Sequence, residues 1–168
     1  MSLYEVLSLI LGILGAVVII VQLSIAIRAM RADHERRQKQ ATIEHVRTIR
    51  PLYKHCRQVI DEKFGKDVLS DGAVGEIDKD DELRENIKDM LALLEHTSVG
   101  MNTGVFDKDL WYRMSASYLI RIYHRLRPYI KYIQKSQPSA YIEFEEIVHE
   151  FEERKRRRPD SRGQIKYS

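Results

Sequence analysis

A single cysteine, Cys56, stands in the chain's 168 residues, so an internal disulfide framework and a metal cage of several thiolates are both excluded. A chain this poor in cysteine suits a reducing compartment. It holds no Gly-rich phosphate loop, nucleophile elbow, zinc-binding histidine pair or kinase signature. No stretch alternates apolar and polar residues as a half-buried strand would, which leaves an all-α chain. Charge is absent from Val6 to Ile27, VLSLILGILGAVVIIVQLSIAI, and Lys and Arg are absent from Met1 to Glu5 ahead of it.

That uncharged run is about 22 residues long, and at ~1.5 Å per residue it matches a hydrocarbon layer of roughly 30 Å. A helix satisfies its backbone polar groups internally, as a span without water requires. A cleavable signal peptide is the competing reading, but it would begin with basic residues and end at small ones. Here Arg28 and Met30 stand where small residues belong, and Arg28, Arg31, Arg36, Arg37 and Lys39 crowd the far side. Basic residues beside a span stay on the cytoplasmic side. The expectation is therefore a single transmembrane anchor over 1–28, N-terminus out, with a cytoplasmic body.

Net charge is only +3, but it is arranged by segment: a basic collar after the anchor, acids from Asp67 to Asp89, and a basic stretch from Arg154 to Arg158. Ala29 to Arg50 is charged, lacks Gly and Pro, and reads as a helical stalk over 29–50. Pro51 marks a kink or a fresh start. From there a small cytoplasmic helical bundle is expected over 51–153, followed by a flexible basic tail over 154–168. Leu52, Cys56, Val59, Ile60 and Phe64 recur at helical spacing, making Cys56 a core thiol, and Gly65 is placed to end that segment. The next stretch, GKDVLSDGAVGEIDKD, is rich in Gly and Asp and reads as a loop, with Asp80 placed to cap the helix after it.

A third helix is expected from Asp81 to about Asn102 on the apolar set Leu83, Ile87, Met90, Leu91 and Leu94, closed by Gly104. Asp107 offers an N-cap to a long fourth helix, whose stripe is Trp111, Met114, Tyr118, Leu119, Ile122, Leu126, Tyr129, Ile130 and Ile133. Pro128 is expected to bend it. Pro138 opens a fifth helix carrying Tyr141, Phe144, Val148 and Phe151 under an acidic exterior.

The segments ATIEHVRTIR, LLEHTSVGMNTGVFDKDLWYRM and LIRIYHRLRPYIKYIQKSQPSAYIEFEEI, set behind one N-terminal span, resemble the bacterial domain of unknown function 4760. The likeness covers about Ala41 to Glu153 and centres on the Gly100 to Leu110 turn. It implies a membrane-tethered helical module of the bacterial inner membrane and brings no activity or catalytic residues.

Within the anchor, Ser8, Gly12, Gly15, Ile19, Gln22 and Ala26 fall at alternating spacings of four and three, and Gly12 with Ala16 makes a small-xxx-small pair. Small residues and one Gln on a shared face suit helix association in lipid, with a second copy or another membrane protein. The plainer alternative is ordinary small-residue content, with Gln22 reaching the headgroups. The basic residues Arg28, Arg31, Arg154, Lys155, Arg156, Arg157 and Arg158 are candidates for contact with acidic membrane lipids. For the tail, a solvated terminus balancing the acidic helix ranks ahead of lipid, and nucleic acid ranks last because no aromatics interleave with the basic run.

No catalytic residue, metal or cofactor is assigned. Glu146 and His149 share a helix face, but a di-iron site needs a second such pair and two more carboxylates. Asp78, Asp80 and Glu82 resemble a calcium loop, except that Leu83 stands where that loop needs Gly. Glu95, His96 and His124 are the residues to suspect if the domain is an enzyme acting on a nucleotide or lipid, with Tyr123 or His124 completing an acid/base pair. Hydrogen-bonded structural groups are the simpler assignment. The basic face Arg121, His124, Arg125, Lys131 and Lys135 is expected to meet acids on neighbouring helices or water. The expected function is a membrane-tethered interaction or scaffold module. An accessory single-span subunit of a larger complex is the alternative.

Overall fold

The structure, a computed structural model, describes residues 3–157, with side chains given for Tyr4 and 11–157. The described residues form five α-helices and no strand, so the all-α expectation holds. The chain divides into two units, 1–40 and 41–168.

In the first unit the described residues belong to α1 (Leu3–Phe64). Leu11, Leu14, Val18, Ile20 and Leu23 are each more than half exposed. This is the one helix among the described residues long and apolar enough to cross a membrane. Beyond the apolar run the surface turns polar, with Arg37 pairing Asp33 at 2.8 Å one turn back.

The second unit contains the core. Its part of α1 runs unbroken through Pro51, so the fresh start expected there does not occur. Proline withholds an N–H from the carbonyl of Arg47, but Arg47 and Pro51 are both exposed, where water can take that carbonyl. Packing begins before the proline: Thr42, Ile49, Tyr53, Cys56 and Ile60 are buried, and Leu52, expected on the core face, is 41% exposed. The face is set by Tyr53, one residue further along. Gly65, at φ +73°, takes the left-handed conformation that stops the helix.

The expected Gly- and Asp-rich loop contains a helix, α2 (Asp71–Lys79). Ser70 caps it by accepting the Ala73 N–H at 3.2 Å, and Ala73, Val74 and Ile77 bury one face. Asp80 then caps α3 (Asp81–Asn102), accepting the Leu83 N–H at 3.1 Å. Leu83, Ile87, Met90, Leu91 and Leu94 are all buried, as their spacing requires. Gly104, at φ +77°, turns the chain, and Asp107 caps α4 (Lys108–Gln134) by accepting the Leu110 N–H at 2.8 Å.

Along α4, Trp111, Leu119, Ile122, Leu126, Tyr129 and Ile130 are buried, together with Ala116, Tyr123 and Arg125. Met114 is the exception in the expected stripe, at 45% exposed. Pro138 does not open the last helix: residues 138–141 form a turn, Tyr141 adopts φ +62°, and α5 (Ile142–Arg157) comes after it. Phe144, Ile147, Val148 and Phe151 of α5 pack against α3 and α4.

Two polar devices tie the ends of this core. Thr42, fully buried, accepts the Asp107 N–H at 2.8 Å, joining α1 to the start of α4. Arg125, 6% exposed, bonds the Asp61 carboxylate and the Gly65 carbonyl at the far end of α1. A buried cation without such partners would cost several kcal/mol, on the order of 3–5.

Candidate functional site

The α1 segment and α4 enclose an open groove of about 600 Å³ in the second unit. On α1, Arg50, Lys54 and Arg57 fall four and three residues apart, so one helix face lines the groove with three cations. Val46, Ile49 and Tyr53 lie beside them, and Trp111, Met114, Ser115 and Tyr118 come from α4. Neither Asp nor Glu lines this cavity. Arg50 and Lys54 are exposed and pair with no carboxylate among the described residues, whereas Arg57 approaches Asp61 at 3.8 Å.

A smaller depression of about 250 Å³ adjoins it, sharing Arg57 and Tyr118 and adding Lys66, Arg121, Ile122, Arg125 and Asp61. Asp61 is already held by Arg125, so the excess charge of the combined surface is positive. Burial sets the chemistry of the aromatic floor. It pushes the Tyr118 hydroxyl up to about 12, against the opposing pull of Arg57 and Arg121, and it raises Tyr53 as well. Both phenols are therefore neutral donors at physiological pH. The rings of Tyr53 and Tyr118 lie 5.8 Å apart. The Trp111 indole N–H and the Tyr118 hydroxyl are buried without a hydrogen-bond partner.

The sequence did not single out this groove. Arg50 reads as the end of a stalk, and Trp111 and Tyr118 read as core, which they partly are. The legible signal was the repeat of Arg50, Lys54 and Arg57 along the edge of an apolar stripe.

The residues suspected of catalysis are not brought together. Glu95 accepts the backbone N–H groups of Glu143 and Phe144 at 3.2 and 2.8 Å, which makes it the cap of α5. Burial raises its carboxyl while those two bonds pull it back. Tyr123 donates to Glu145 at 2.5 Å, and His124 faces Glu152. His149 lies 3.9 Å from Glu145, with Glu146 exposed. Phe106 fills the space beside the Gly100 turn and stacks on His45 at 4.4 Å between ring centres. The basic face of α4 meets acids at Arg125, His124 and Lys131, the last 3.2 Å from Glu145. Cys56 is a core thiol, 1% exposed and raised by burial.

In the first unit, Gly12, Gly15, Ala16, Ile19, Gln22 and Ala26 fall on one face of α1 and are exposed. A Cβ added at Gly12 or Gly15 would meet nothing. The Ser8 side chain lies outside the described residues. Arg28 and Arg31 are exposed. Residues 154–157, assigned by sequence to the basic tail, belong to α5. Arg154 bonds Asp109 at 2.5 Å and lies 4.2 Å over the Tyr112 ring, Lys155 reaches Ser117 at 3.4 Å, and Arg157 pairs with Glu153. Arg156 is exposed, and Arg158 lies outside the described residues.

Fold and groove together define a class: an all-α protein with one exposed apolar helix and a small helical unit holding an open basic groove. The model of the domain of unknown function DUF4760 matches residues 8–151, nearly the whole chain, and the chain belongs to that family. The match takes in most of the apolar run as well as the helical unit. Comparison with curated proteins and with solved structures returned no match.

Proposed function

We propose that this chain is a single-span membrane protein whose helical unit works on the cytoplasmic side as an interaction module, without catalysis of its own. The observation that carries the proposal is the run Leu11–Ile27, whose apolar side chains are exposed along their whole length. Burying such a surface in hydrocarbon gains about 25 cal/mol per Å². The basic collar at Arg28, Arg31, Arg36 and Arg37 supports the orientation.

The exposed face of Gly12, Gly15, Ala16, Ile19, Gln22 and Ala26 supports association within the membrane, where close approach and a Gln hydrogen bond hold helices together. A second copy is the simplest partner. An accessory role beside a different membrane protein draws on the same face. Arg28 and Arg31 would sit among acidic headgroups.

The test is the mass and composition of the particle extracted in mild detergent, for the wild type and for Gly12→Leu/Gly15→Leu. A homo-oligomer dissociated by the substitutions supports self-association. Loss of a co-purifying membrane protein supports the accessory role. Identical particles from both forms would refute the seam.

A further inference from the structure

We propose that the groove between α1 and α4 binds a small phosphate ester with a flat heterocyclic body, a ligand of the nucleotide class. This inference is independent of the membrane tether and goes beyond it. Size comes first: about 600 Å³ falls within the range of small-molecule sites. Charge is the second constraint. Arg50, Lys54 and Arg57 line one wall without a carboxylate among the lining residues, and Arg50 and Lys54 have no acidic partner among the described residues. A dianionic or trianionic group satisfies such a wall, and guanidinium groups match phosphate oxygens in pairs.

The opposite wall selects the rest of the ligand. Met114 is 45% exposed and Tyr118 half-buried on α4, and with the half-buried Val46 of α1 they offer apolar surface beside the cations. Inorganic phosphate would leave that surface uncovered. An acyl chain would cover it but would set hydrocarbon against the Ser115 hydroxyl and the neighbouring cations. A heterocycle supplies both an apolar face and ring acceptors. Arg121 and Lys66, in the adjoining depression, extend the positive field for a longer phosphate chain.

The chain carries one tryptophan, and Trp111 lies in the groove, so its emission reports occupancy without a label. The full chain in neutral detergent is titrated with adenosine, AMP, ADP, pyrophosphate and a short-chain phosphatidylglycerol, and each titration is checked by calorimetry. ADP is expected to bind more tightly than AMP, and adenosine weakest. Added salt should weaken ADP binding, and Arg50→Ala or Lys54→Ala should each weaken it about tenfold or more. Both side chains are exposed, so an unchanged melting temperature shows that the fold survives. Guanine and uracil nucleotides then define which base fits best. The proposal is overturned if no nucleotide binds at millimolar concentration, or if Arg50→Glu/Lys54→Glu binds as the wild type does. It is equally overturned if pyrophosphate binds as tightly as ADP, which marks a site for charge alone. Binding of phosphatidylglycerol in preference to every nucleotide would reassign the groove to lipid headgroups.

Discussion

Gly100→Ala probes the packing of the last turn of α3 against the turn that leads to α4. The Cβ of alanine would lie 2.5 and 2.6 Å from two carbons of the Phe106 ring, about 1 Å inside ordinary contact. The ring has little room to retreat. It stacks on His45 at 4.4 Å, His45 bonds Thr97 at 2.9 Å, and the Phe106 N–H is fixed to the Gly100 carbonyl at 2.9 Å. Overpacking of this kind costs about 1–3 kcal/mol. Replacing a helical glycine by alanine recovers up to ~1 kcal/mol, since α3 continues to Asn102. With the ring so confined the upper part of that range applies, and the net expectation is a loss of about 1–2 kcal/mol, or roughly 3–10 °C in the melting temperature of a unit this size. Differential scanning calorimetry of the full chain in detergent reads it. In a Phe106→Ala background the same change should become neutral or stabilising, a coupling of about 1 kcal/mol or more. An unchanged or raised melting temperature in the otherwise wild-type chain would refute the reasoning.

Other perturbations test separate parts of the fold. Arg125→Ala leaves the partly exposed Asp61 with only Arg57 at 3.8 Å and the Gly65 carbonyl without its partner, and is expected to cost about 1–3 kcal/mol in chemical denaturation. Asp107→Ala removes the cap of α4 and should cost ~1 kcal/mol in the same assay. Glu95 has a folded carboxyl raised by burial, so the folded state holds that proton more tightly than the unfolded chain does. Its ionised form therefore costs stability at neutral pH, and this cost is relieved as pH falls through the raised folded value towards the unfolded one. Glu95→Gln should flatten that part of the stability profile, and a profile parallel to wild type would contradict the assignment. Cys56, buried and raised, should react with a thiol reagent only as fast as the unit opens.

The elements legible in the sequence were those with local signals. Asp80 and Asp107 are side-chain caps, the α3 apolar set keeps a clean helical period, and Gly104 supplies the positive φ its turn requires. Short and paired elements were not legible. In α2, Gly72, Gly75 and several acids obscure three buried residues, and a helix of nine residues owes its stability to packing rather than to its own propensity. Pro138 looked like a helix start, but the turn to Tyr141 intervenes, and the cap of α5 comes from Glu95, 48 residues away. Arg125 was expected to meet an acid on a neighbouring helix or water, and spacing alone could not choose Asp61, which belongs to another helix. The groove was hidden for the same reason: its cations on α1 and its Trp111 and Tyr118 on α4 lie about sixty residues apart, and only the packing of α1 beside α4 brings them to one surface. The shared face of Gly12, Gly15 and Ala16 on α1 is the reverse case, because helical spacing alone places those residues together.

The most direct test of the central claim is fractionation of cells producing the full chain and a form lacking residues 2–28, with alkaline carbonate extraction of the membranes. The full chain should remain in the membrane pellet through extraction, while the truncated form is recovered folded in the soluble fraction. A full chain that is soluble, or that carbonate strips from the membrane, would contradict a transmembrane tether.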